Sequence, residues 1–274
     1  MSGKTLLDIV KSNDVRIIYG LLLVLMFLPM LLPFRIPLKI SPTTQGLYDF
    51  VESLPPGSVV MVNAGLTPSA YPEISPGLRA FIEHAFRKDL KLVVWCESAD
   101  APVMWGKLMS TIAVPPNKRY GVDWVFLGFI PGGETALAGL ANDIWATSPT
   151  DYYKTPLKDL PLMERVHNAR DLAAYFDVSM AYDSPGFVVR QFVTPYNVPF
   201  LACYSTGMTP ASMPYYPKQL RGVLYGIRGG AEYEMLINRP WRGLSYTDVL
   251  SAVNIYIFLV IIIGNVIILF SRRR

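Results

Sequence analysis

The chain has 274 residues, 51% of them hydrophobic and 17% charged, and its mean hydropathy of +0.30 is more apolar than that of an ordinary soluble domain. Its net charge of +4 is not a nucleic-acid footprint: Lys4, Lys11, Arg16, Arg35, Lys39, Arg272, Arg273 and Arg274 flank two apolar runs, while residues 40–248 hold 17 basic and 19 acidic side chains. A slightly acidic domain excludes a broad phosphate-binding surface, and the flanking cations read as topology signals and contacts to membrane lipid.

The first 16 residues form a basic segment, assigned to the cytoplasm. From Ile17 to Phe34 the chain reads IIYGLLLVLMFLPMLLPF without a charge, which predicts a first transmembrane helix over 17–37, kinked or shallow at Pro29 and Pro33. A cleaved signal peptide fits less well, because the preceding polar region is long and no small-x-small site follows.

An extracytoplasmic domain is expected over 40–245. Ser58–Ala64, Lys91–Cys96 and Asp123–Ile130 read as buried strands, alternating with helices over Pro76–Lys88, Pro102–Ile112 and Glu134–Ala146. A further helix is expected over Pro161–Tyr175, then strands over Asp177–Ala181, Phe187–Phe192 and Val198–Tyr204, and a helix over Lys218–Ile237. This order predicts an α/β fold, Rossmann-like, with a mostly parallel sheet and flanking helices, plus one transmembrane helix near each terminus. Cys96 and Cys203 fall in apolar strand-like runs, where a buried thiol is the ordinary reading; an outward domain would also permit a disulfide.

Two loops share a pattern: Gly65-Leu66-Thr67-Pro68 follows the first strand and Gly207-Met208-Thr209-Pro210 follows the last. A third, Gly128-Phe129-Ile130-Pro131-Gly132-Gly133-Glu134, lacks the G-x-G-x-x-G spacing of a phosphate turn, and Glu134 would repel an anion there, so it reads as helix entry. His84 and His167 sit in separate segments without ligand spacing, so no metal site or cofactor is expected, and no catalytic triad is legible.

In a parallel sheet, the polar residues just past the strands could converge on one ligand crevice: Asn63, Glu97, Ser98, Asp100, Ser205 and Thr206. Loop capping explains the same residues. Gly222, Gly226 and Gly230 recur every four residues, which on one helix would clear a stripe for close packing or an interface.

The second transmembrane helix is expected over 249–270, VLSAVNIYIFLVIIIGNVIILF, followed by a basic cytoplasmic tail over 271–274. Asn254 and Asn265 lie close to three turns apart, and with Gly264 they suggest helix contacts within the membrane. Together these features predict a two-pass protein of the cell membrane with both termini cytoplasmic. The function expected is a non-enzymatic assembly or scaffold subunit of a homo-oligomer or larger membrane complex, with no nucleic-acid partner. The alternative is a membrane-tethered α/β hydrolase or small-ligand-binding enzyme using the strand-end crevice.

Overall fold

Six short runs, each apolar enough to be buried on both faces, form the strands β1 (Val59–Ala64), β2 (Lys91–Cys96), β3 (Trp124–Phe129), β4 (Ala174–Ser179), β5 (Phe200–Tyr204) and β6 (Leu220–Tyr225). All pair in parallel, in the spatial order β3-β2-β1-β4-β5-β6. Strands covered on both sides need no polar face, which is why VVMVNA and FLACY carry almost no polar residue.

The computed structural model describes residues 15–32, 34 and 37–271. Lys4, Lys11, Pro33, Arg35 and Arg272–Arg274, on which the topology signals rest, lie outside them. The chain divides into two compact units: Leu38–Gly243, which carries the sheet, and Met1–Pro37 with Leu244–Arg274.

Helices cover both faces of the sheet. On one lie α2 (Pro42–Ser53), α3 (Tyr71–Arg87), α4 (Ala101–Met109) and α7 (Gly226–Leu236), around a core in which Phe81 stacks on Phe176 at 3.8 Å. On the other lie α5 (Glu134–Asn142) and α6 (Ser184–Val188), with Leu137, Leu140, Val188 and Phe192 against Val93, Trp95 and Tyr175. Ser41 caps α2 through Thr44 N, and Pro42 opens it. This helix was not expected from the sequence.

Three expected elements are corrected. The helix over Pro161–Tyr175 is instead two 3-10 turns, Met163–Arg165 and Ala169–Asp171, leading into β4. Asn168 and Asp171 form a reciprocal cap that restarts the chain there, although Leu162, Met163, Val166 and Ala169 are buried at helical spacing. The strand over Phe187–Phe192 is helical, because Pro185 opens α6 and a π turn at Val189–Val193 continues it to Tyr196. A short apolar run does not reveal its own period.

The helix over Lys218–Ile237 is strand β6 followed by α7, so Gly222, Gly226 and Gly230 do not share a helix face. Gly222 lies in β6, where a Cβ would stand 2.6 Å from Leu47 Cβ, so its absence lets α2 lie on the strand. Gly226 holds φ +56 at the strand-to-helix turn, and Gly230 packs on Gly77 of α3. The close approach is therefore between elements of the domain itself.

In the other unit, α8 (Arg242–Ser271) contains the single helix among the described residues that is long and apolar enough to cross a membrane, over Arg242–Val266. The first apolar helix, α1 (Val15–Leu31), is 17 residues with Pro29 inside and falls short of that length, so two spans are reduced to one candidate. The Tyr256 hydroxyl donates to Ile18 O at 2.8 Å, joining α8 to α1.

His84 illustrates how the domain tolerates polar groups in its core. It is fully buried on α3, with Nδ1 2.7 Å from the Tyr233 hydroxyl and Nε2 2.9 Å from Glu52, while Tyr48 stacks on its ring. Burial pushes its pKa down to about 4, against the opposing pull of Glu52. A folded value below the unfolded one means the stabilisation is complete above pH 6.5 and is lost as the pH falls towards 4. The unfolding midpoint of the full chain in detergent should therefore drop across that window, and His84→Phe should flatten the slope; an equal slope in both proteins would contradict this.

Candidate ligand crevice at the strand ends

Register builds the site. On β1, Asn63 pairs with Trp95 of β2 and with Asp177 of β4. Side chains alternate along a strand, so two residues further on Gly65, Glu97 and Ser179 form the next row on the same face, at the rim. The sheet order reverses between β1 and β4, and open α/β sheets hold ligands at the carboxyl ends of the strands beside such a reversal.

Gly65 makes the rim row possible. A Cβ there would run into Val178 O of β4 and stand 2.6 Å from Glu97 Oε1, so a residue without one lets the strands pair closely and the carboxyl cross β1. Having crossed, Glu97 Oε1 accepts the Ser179 hydroxyl at 2.6 Å. Beneath it, Asp177 accepts from Asn63 Nδ2 at 2.8 Å, from the Ser184 hydroxyl at 2.6 Å and from the Tyr204 hydroxyl at 2.6 Å.

The two carboxyls raise each other's cost of ionisation. Burial, then repulsion from Asp177, pushes Glu97 up to about 7, against hydrogen bonds from Ser179 and Asn63. Asp177, fully buried, is also pushed up by burial, while Ser184, Tyr204 and Asn63 hold it down. The pair titrates as a unit, and Glu97 can give or take a proton near neutral pH.

Above this floor lies a crevice of about 370 Å³ lined by Gly65, Thr67, Trp95, Glu97, Ser98, Gly133, Leu137, Met180, Ala181, Ser184 and Phe187. Its size and largely apolar wall suit a small molecule. Among the described residues no group of three or more His, Cys, Asp or Glu side chains could hold a metal ion.

Of the residues expected to converge, Asn63, Glu97 and Ser98 come together here. Asp100 is exposed at the start of α4, outside the lining. Ser205 and Thr206 follow β5 and are not part of the lining either; Thr206 N donates to Glu73 Oε1 at 2.8 Å instead. The matching G-x-T-P loops also diverge, since Thr67 Oγ1 accepts Ala70 N at the entry to α3, whereas Thr209 Oγ1 donates to Thr206 O in a short turn. Cys96 and Cys203 are free, buried thiols.

Asp177, Ser179, Ser184 and Gly65 were not legible as site residues. The available signal was a lone charge in the buried run AYFDVS, matching the lone amide of VVMVNA. On α8, Asn265 Nδ2 donates to Ile261 O of its own helix, Asn254 is exposed, and nothing lies within 4 Å of the Cβ position of Gly264.

Gly65→Ala should press on both Val178 O and the Glu97 carboxyl and cost about 1–3 kcal/mol by overpacking. Chemical denaturation of the full chain checks this, and a stability equal to that of the native protein would contradict it.

No family model, curated protein or solved structure matches this chain, so what the crevice can do follows from its own chemistry.

Proposed function

We propose that Leu38–Gly243 is a small-molecule-binding module, Rossmann-like in strand order, held at a membrane by α8, with Glu97 as the contact that decides what binds. The observation that carries this reading is the Glu97–Asp177 pair at the floor of an apolar-walled crevice beside the sheet reversal. Perturbed carboxyls in a cleft mark functional sites more often than structural ones. With Glu97 near neutrality, the same site has the acid–base capacity of the tethered-enzyme reading.

A second reading, an assembly subunit of a homo-oligomer or membrane complex, is favoured by a separate observation. Val103, Phe129, Met180 and Tyr182 are exposed just beyond the carboxyl ends of β2, β3 and β4, where apolar side chains suit a protein contact. In both readings α8 is the membrane anchor and the domain lies outside.

Ala181 is exposed at the rim of the crevice, so Ala181→Trp covers it without disturbing the core. Full-length protein in mild detergent, screened with a library of small fragments by thermal shift, should give hits that this variant abolishes at an unchanged unfolding midpoint. Hits that all survive in the variant would sink the binding-module reading.

A further inference from the structure

The polar atoms of the crevice that lack partners are ready to accept. The Glu97 carboxyl, which lines the crevice, takes the Ser179 hydroxyl on Oε1 and a hydrogen bond from Asn63. Beneath the lining, Asn63, 1% exposed, has Nδ2 bound to Asp177 and Oδ1 without a partner. Ser98 Oγ is buried and unpartnered beside them. Orphaned buried acceptors call for a donor.

The charge among the lining residues is of one sign, although the Arg190 guanidinium lies over the Phe187 ring at 5.3 Å. No Lys, Arg or His lines the crevice. The titratable groups on the sheet face below Glu97 are Asp177 and Tyr175 of β4 and Tyr204 of β5, none of them cationic. Arg190, beyond α6, is engaged by both oxygens of Glu134, at 2.8 and 2.9 Å. A phosphate or carboxylate would meet unscreened like charge here, which the strand order alone would not reveal.

We propose that the crevice takes a primary amine with a small apolar or aromatic body, bound as its ammonium ion, whose N–H groups donate to Glu97 while the body lies against Leu137, Met180 and Phe187. This rests on the binding-module reading above. An ammonium brings three donors and no acceptor, matching the Glu97 carboxylate and the unpartnered Ser98 Oγ of the lining. Binding favours the ionised carboxyl, so below neutral pH one proton passes from Glu97 to solvent for each amine bound, and the amine keeps its own.

Benzylammonium, benzyl alcohol and benzoate share a body and differ in charge, so they separate the readings on the native chain. Full-length protein in micelles, labelled with 13C at methionine methyls and with Met180 assigned through Met180→Leu, is titrated with each. Benzylammonium is expected to shift the Met180 methyl and bind tightest, with affinity rising as the pH passes 7; Glu97→Gln should weaken it about tenfold or more. Benzoate binding as tightly as benzylammonium, or an unchanged affinity in Glu97→Gln, would overturn the amine assignment while leaving the crevice a binding site. A Met180 methyl silent to all three probes would overturn both.

Discussion

Two carboxyls on neighbouring rows of one sheet face have to share a small buried volume, and the arrangement around them follows from that constraint. Asp177 sits inside β4, where it takes three hydrogen bonds from Asn63, Ser184 and Tyr204. Glu97 leaves the end of β2 and passes over Gly65 to reach Ser179. Removing water from both raises the cost of holding two negative charges, and the local hydrogen bonds offset that cost only in part. A site of this kind is chemically poised, because Glu97 changes protonation near neutral pH.

The all-parallel sheet was legible because continuous apolar runs separated by helical spacing leave few other solutions. The first three strands lie where the sequence places them, within a residue or so at each end. The later part was harder to read. FVVRQFV has the composition of a strand but follows Ser184-Pro185, which starts a helix. QLRGVLYGIRGG has glycines at helical spacing but holds a strand and a turn, and its period arises from two unrelated close approaches, to Leu47 and to Gly77. Asn63, Glu97 and Ser98 could be placed at the crevice or its floor from sequence because each lies at or just past the carboxyl end of a strand. Asp177 could not, since its partners come from β1, β5 and α6, and only the strand order brings these together.

The sheet order β3-β2-β1-β4-β5-β6 is that of doubly wound domains that bind dinucleotides at the reversal point. Here the physical ingredients of phosphate binding are missing from that point. The loop after β1 runs Gly65-Leu66-Thr67-Pro68, without the second and third glycines that let backbone approach a pyrophosphate, and α3 carries Glu73 in its first turn. At the same place in the architecture this chain presents the Glu97 carboxyl. In the other unit, α8 supplies the apolar length to cross a bilayer, and the Tyr256 hydroxyl bonded to Ile18 O gives α1 a polar tie to it.

Glu97 lines the crevice above a buried carboxyl, Asp177, and their coupling is measured most directly by the titration of the Glu97 side-chain carboxyl by 13C NMR in the full-length protein. A midpoint near 7 that falls in Asp177→Asn is the predicted result. A midpoint in the ordinary glutamate range near 4.5, unmoved by that substitution, would contradict it.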